Sequence, residues 1–356
     1  MQSIAVANGW PHVFKLNKIN AFAAKAAVKT LASGLESKRD NFLLLRFLAA
    51  ALVIYGHGGA VTGGQGPPDL FVVLGWGTYS GTIAVHIFFL VSGFMIAGSY
   101  LRLRRQHLVN FLWARILRIF PAYLYCLVLC AYLLGAIYTT TRLPDYFRDH
   151  AVLYYVIQNL KLQTSMAWTL PGVFEGNPKM PVINGALWTL PGEFRMYLWV
   201  ALTGLLGVLS RRWLCTLLIA TLAGFGIVYP EKDILTIPTF YVGLAGMFGL
   251  GVFCYVHRQH VPVGWPYAAL AALLAYLLHG TPLSPYVFSL ALAQFAFAFA
   301  YCTPWYGFNR LGDYSYGVYL WGFPMQQVVA HHFPALSPNW NAGCALPLAW
   351  AMAFIS

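Results

Sequence analysis

Ten apolar runs set the pattern of this chain: 42–60, 82–101, 119–138, 188–209, 213–229, 234–256, 264–279, 284–303, 312–332 and 343–356. Most approach the length of about 20 residues that carries a helix across a bilayer. The polar residues fall mainly between the runs. One interval is long, 139–187, and its second half, Pro171 to Gly185, is rich in Pro, Gly and Asn. The pattern predicts an all-α polytopic membrane protein of about ten transmembrane helices. It has two parts: an N-terminal extension at 1–40, and a transmembrane domain at 41–356 with an outer loop at 139–187. Within the extension, residues 13–31 are mildly amphipathic, with Lys18, Lys25 and Lys29 on one face. They read either as an interfacial helix or as a loosely ordered arm.

Composition narrows the class. Hydrophobic residues make up 59% of the 356 and charged residues only 9%, against about 25% charged in a soluble domain. A soluble fold, a coiled coil and a disordered chain are excluded. The net charge is +12, and its distribution matters more than its size. With the N-terminus in the cytoplasm, fifteen of the 22 basic residues fall on the inner side, among them Lys38, Arg39, Arg102, Arg115, Arg118, Arg211, Arg212 and Arg258. Five fall outside: Arg142, Arg148, Lys161, Lys179 and Lys232. The positive-inside rule then places both ends on the inner side. The basic residues are not interleaved with stacking aromatics, so no nucleic-acid partner is expected. The six cysteines lie in apolar stretches without zinc spacing, so no metal is expected.

Ionisable groups inside the runs are the candidate chemistry, because charge in a bilayer is costly. Arg46 and His57 lie eleven residues apart in the first run, on nearly the same helix face and about 16 Å apart along the axis. His86 and Glu193 enter their runs from the outer side, at depths comparable with His57. A histidine and a carboxylate in a cavity of low dielectric make an acid–base pair. Arg115 and Arg118 are three apart, and paired guanidinium forks suit phosphate. Each residue also has a structural reading: Arg46 snorkelling to the interface, His57 as a hydrogen-bonded core histidine, Glu193 bridged to Arg195 or another arginine, and a basic inner loop that merely sets topology.

Five segments in order carry a resemblance: Arg46 with His57; Phe88-Phe89-Leu90-Val91-Ser92-Gly93-Phe94; Arg115-x-x-Arg118-x-x-Pro121; Asn184 through Trp188 to Glu193; and Asp313-Tyr-Ser-Tyr316 through to Trp321. Together they resemble the membrane acyltransferase-3 family, over most of the chain. The resemblance implies helices around a central acyl-transfer cavity, acetyl-CoA as acyl donor, and a glycan or lipid-linked saccharide as acceptor, with membrane lipid around the protein. It implies a catalytic His57 and an essential Arg46, whereas many relatives have Asp near the position of His86; taken with the residue chemistry above, Glu193 joins the catalytic set, Arg46, Arg115 and Arg118 bind the donor, and His86, Trp188, Asn184 and Tyr316 are the candidates for acceptor binding. Intramembrane His, Glu and Arg also suit a proton-coupled transporter of small organic solutes, although the runs show no repeated halves. A flippase or scaffold of polysaccharide assembly is the third reading.

Overall fold

The computed structural model describes residues 29–64, 66–102 and 108–355. Most of the stretch 13–31 lies outside the described residues, as do Arg104 and Arg105. Among the described residues the fold is all-helical, without a sheet. A helix lies on each of the ten apolar runs: α1 Phe42–Val61, α2 Ser80–Arg102, α3 Leu108–Tyr138, α4 Leu190–Leu205, α5 Arg212–Val228, α6 Val242–Val256, α7 Trp265–Leu277, α8 Ser284–Cys302, α9 Ser315–His332 and α10 Pro338–Ile355. Five are long and apolar enough to cross a membrane: α1, α2, α3, α8, and α6 together with the turn before it, Thr239–Val256. Helices α5 and α7 are apolar but shorter.

Helices α1, α2, α9 and α10 form the centre, with α6 laid against α2. Glycine sets the closeness of the last pair. A Cβ at Gly93 would fall 2.0 Å from the Phe248 carbonyl oxygen, and one at Gly251 would fall 2.1 Å from that of Leu90. Without a hydrophobic drive between helices in lipid, such backbone approach supplies the packing energy. The start of α1 is tied to the end of α8: the Asn41 backbone N–H donates to the Ala300 carbonyl at 2.8 Å, and its side-chain amide donates to Thr303.

Helix α3 begins eleven residues earlier than its apolar run, and Arg115 and Arg118 lie on it, three apart, as their spacing on a helical face requires. The cause is a polarity inverted with respect to a soluble helix. Trp113 and Leu117 are exposed outward, while both arginines turn toward a cavity. Pro121, which has no N–H to donate, lies within this helix, and a π-helical stretch follows at Leu129–Leu134.

The interval 139–187 is not a simple outer loop. It opens with two short helices, Leu143–Arg148 and His150–Leu160. Its second half then runs along α9 into the bundle. Ile183, Asn184 and Ala186 are buried there without helical pairing, and Leu187 opens the 3-10 turn Leu187–Thr189 that leads into α4. Non-helical backbone survives at such depth only where protein groups satisfy it. Here amide side chains do so. Gln327 donates to the carbonyls of Met180 and Val182 at 2.9 and 2.6 Å, Asn177 donates to the Gln327 carbonyl at 3.0 Å, and Asn184 donates to that of Leu320 at 2.8 Å.

Candidate active site

A cavity of about 110 Å³ lies between α1, α2, α3, α4 and α9. Arg46, Arg115, Arg118 and Glu193 all line it, beside Ser92 and Tyr316. Its charges are arranged around an acid from outside the helices. Asp313, just before α9, accepts from Arg46 Nη1 at 2.8 Å and from Arg118 Nη2 at 3.3 Å through the same Oδ2. Its other oxygen accepts from the Ser315 hydroxyl at 2.7 Å. Burial acts to raise the Asp313 carboxyl, but Arg46, Ser315 and Arg118 outweigh it and hold it below its ordinary value. Arg46 is thus a buried, fixed cation and not a side chain snorkelling to an interface. Arg115 differs: its guanidinium lies 5.7 Å from the centre of the Phe111 ring, and its buried Nε has no hydrogen-bond partner among the described residues.

Glu193 sits in the first turn of α4, where the helix dipole favours an anion. Its Oε1 accepts from the Ser92 hydroxyl at 3.2 Å and from Tyr197, and these two hydroxyls lie 3.1 Å apart. Both ion pairs among the described residues go to Asp313, so neither involves Glu193. Arg195 instead places its guanidinium 5.9 Å from the centre of the Tyr241 ring.

The structure does not bring every candidate into this cavity. His57 lies three turns along α1 from Arg46, outside the cavity lining, with the Phe323 ring edge-on at 5.4 Å. Its buried Nδ1 lies by the Val53 carbonyl one turn back, without a hydrogen bond of ordinary geometry. Close by, a second hollow of about 420 Å³ is lined by Gly56 and Gly59 together with Tyr55, Lys179 and Asn339. His86 faces Gly243 at the start of α6. Trp188 stacks on Tyr241, with ring centres 5.9 Å apart and planes 3° apart. Asn184 spends its amide on the Leu320 carbonyl and the Ala186 N–H. Tyr316 lines the cavity and donates to the Ile119 carbonyl at 3.1 Å.

Ser92 and Tyr197 line the cavity and Asp313 holds two of its arginines, and none of the three was among the candidates. Asp313 opens the last of the five segments, but its partner Arg46 is 267 residues away, and nothing local marks the pairing.

Three arginines and a carboxylate around a buried hollow in a helical membrane protein define a site for a small polar or anionic group. The chain belongs to the family described as acyltransferase domain, whose model matches residues 40–356. It is therefore a membrane acyltransferase, and the transporter and scaffold readings fall. It is similar to an O-acetyl transferase of Shigella phage Sf6, at 32% identity over 82% of this chain and 86% of the relative. It is also similar to nodulation protein 10 of Rhizobium leguminosarum bv. viciae, at 26% identity over 80% of this chain and 82% of that one. No solved structure matches.

Proposed function

We propose that this protein moves an acetyl group from acetyl-CoA to a sugar hydroxyl of a surface or exported glycan, across a bacterial inner membrane that it crosses about ten times with its N-terminus inside. The observation that carries this reading is the layout of α1, with an arginine cavity at one end and His57 at the other. A volume of about 110 Å³ is well below the roughly 300–1,000 Å³ of a pocket that encloses a whole ligand. The cavity therefore takes only part of the donor: the nucleotide stays at its mouth, and the thioester arm passes through it toward His57. Arg118 is exposed there, and Arg115 has donors to spare for phosphate. Arg46, held by Asp313, contributes a fixed positive field.

His57 acts as the general base. As a neutral imidazole it has one ring nitrogen free to accept a proton. The acceptor hydroxyl oxygen attacks the thioester carbonyl, its proton passes to His57, the C–O bond forms, the C–S bond breaks, and CoA leaves. Glu193 orients the donor arm through Ser92 as it passes toward His57. The test is release of CoA from acetyl-CoA by the purified full chain with a membrane saccharide fraction, with acetyl label recovered in the saccharide. No release with any such fraction overturns the reading.

A further inference from the structure

We infer that the second hollow binds the phosphate-bearing head of a membrane lipid, and that this lipid anchors the saccharide acceptor. That the lipid carries the acceptor rests on the acyl-transfer reading above; that the hollow binds lipid does not. The hollow holds about 420 Å³, within the roughly 300–1,000 Å³ of pockets that enclose a ligand. It lies between the end of α1, the turn at Pro67 and Pro68, Lys179 of the long interval and the start of α10.

Its place on α1 points to lipid. Leu48, Tyr55 and Thr62 follow one another at seven residues, which puts them on one stripe of the helix. Leu48 is exposed, and so is Gly59, where a Cβ would meet nothing within 4 Å. Tyr55 is nine residues from Arg46, about two and a half turns, and so lies on the side of α1 away from Arg46 and His57. The hollow therefore ends an outward, lipid-facing stripe and stands apart from the arginine cavity. Beside it the chain runs on from Asp69 through Leu70, Val72, Val73 and Leu74, all exposed. Such a run of exposed apolar side chains marks contact with a membrane.

The polar groups of the hollow point to a phosphate with hydroxyls attached. Two are already spent. Asp69 accepts from the Ser80 N–H through both oxygens, at 3.1 and 3.0 Å, and from the Phe71 N–H at 3.0 Å. Thr62 donates to the Gly58 carbonyl at 3.0 Å. Tyr55, Asn339 and Lys179 also line the hollow, and their hydroxyl, amide and ammonium have no hydrogen bond or ion pair to another described residue. An ammonium meets phosphate as a point charge, while a phenol and an amide exchange hydrogen bonds with hydroxyls. A lipid-linked saccharide offers every element at once: an apolar chain for the stripe, a phosphate for Lys179 and a first sugar for Tyr55 and Asn339. Because Tyr55 and His57 face apart, the hollow holds the anchored end of the acceptor, and the hydroxyl that reacts belongs to a sugar further from the lipid.

The experiment compares two acceptors on the detergent-solubilised full chain: a membrane saccharide fraction still linked to its lipid, and the same fraction after mild acid has freed the saccharide. Wild type is expected to reach half-maximal acetyl transfer at about tenfold or more lower concentration of the linked form, the worth of a charged hydrogen bond. Lys179→Glu should erase that preference, and Tyr55→Phe should weaken binding of the linked form by about two- to tenfold. The KM for acetyl-CoA should stay the same in both, because the hollow lies away from the arginine cavity. Lys179→Gln, which removes the charge without reversing it, serves if the glutamate variant does not fold. Radiolabelled polyprenyl phosphate reads the hollow without any transfer: it should bind wild type, be lost from Lys179→Glu, and resist displacement by inorganic phosphate or phosphatidylglycerol. Equal use of linked and freed saccharide by wild type overturns the inference, as does an undiminished preference in the Lys179 variants. Displacement by phosphatidylglycerol as readily as by unlabelled polyprenyl phosphate overturns it too, and makes the hollow an ordinary phospholipid site. If no fraction is acetylated while polyprenyl phosphate still binds through Lys179, the acyl-transfer reading fails, the acceptor role falls with it, and the lipid site stands.

Discussion

The two ends of α1 are built on opposite principles. At the Arg46 end a buried cation is answered by a carboxylate, which is in turn held by a second arginine and a hydroxyl. At the His57 end the imidazole meets an aromatic edge and a backbone carbonyl of its own helix. The first end is electrostatically complete before any ligand arrives, which suits a field that must not reorganise during reaction. The second leaves a titratable group with little to hold it, as a base needs if its partner is to come from the substrate. The variants below break or sharpen that contrast.

The largest effect belongs to the open end. His57→Ala should lower acetyl transfer by at least about 10²-fold, the low end for loss of a general base. Binding of CoA should stay unchanged, because His57 is three turns from Arg46. Turnover and equilibrium CoA binding, measured on the same preparation, check this. Retained turnover would return His57 to a packing role.

At the closed end the loss should appear first in stability. Asp313→Ala strands Arg46, whose side chain is 10% exposed. Breaking a buried pair from one side costs about 3–5 kcal/mol. Arg118, with 40% exposure, can turn to water and adds little. Thermal unfolding in detergent should show a clear fall in midpoint for Asp313→Ala and a small one for Arg118→Ala. Equal falls would mean that the shared carboxylate, and not burial, decides the cost.

What was legible in the sequence follows the same divide. Apolar runs report helices directly, and all ten coincide with one, since lipid-facing and buried positions are both apolar. The Arg46–His57 face was legible because it depends only on helix pitch. The start of α3 was not, because Asn110, Arg115 and Arg118 interrupt the apolar run although Trp113 and Leu117 face outward. The inward segment was hidden more thoroughly. Its Asn, Gly and Pro residues read as surface, and the side chain that satisfies its carbonyls, Gln327, lies on α9, some 145 residues away. Pairings between distant runs, Arg46 with Asp313 above all, leave no local trace.

Arg115 tests whether the closed end also binds. It is the cavity arginine without an ion pair among the described residues. Arg115→Ala should raise the KM for acetyl-CoA by about tenfold or more, the worth of a charged hydrogen bond at about 1.5–3 kcal/mol, with kcat little changed. Arg115→Lys should recover part of the loss, since charge returns and the fork does not. Steady-state kinetics over donor concentration separate the two. A fall in kcat alone would move Arg115 from donor binding to the chemical step.

Glu193 tests whether the two ends communicate. Its partners are Ser92 and Tyr197, on the arginine side. Glu193→Gln keeps an acceptor oxygen and gives up the charge, a difference of about 1 kcal/mol in those bonds, so kcat should fall only about fivefold. The pH profile should keep its shape, because the structure sets Glu193 among hydroxyls and arginines and His57 against Phe323. A displaced acidic arm would show that the two groups are coupled after all.

The smallest effect concerns pH and isolates the one acid that holds the closed end together. The Asp313 carboxyl is held below its ordinary value: burial opposes the charge, and Arg46, Ser315 and Arg118 more than compensate. A carboxyl depressed in the folded protein contributes stability that is fully present above its unfolded pKa, about 3.9. That contribution is lost as pH falls through the lower folded value. Between pH 5 and pH 8, as round bounds above that window, stability should therefore carry no slope from Asp313. Below about pH 4 it should fall. Asp313→Asn should be less stable than wild type near neutrality, and the gap should narrow as acid protonates the wild-type carboxylate. Unfolding midpoints of both proteins over this range decide it. A gap that stays constant into acid would place the stabilisation in hydrogen-bond geometry that an amide also satisfies poorly, and not in the charge that Arg46 and Arg118 share.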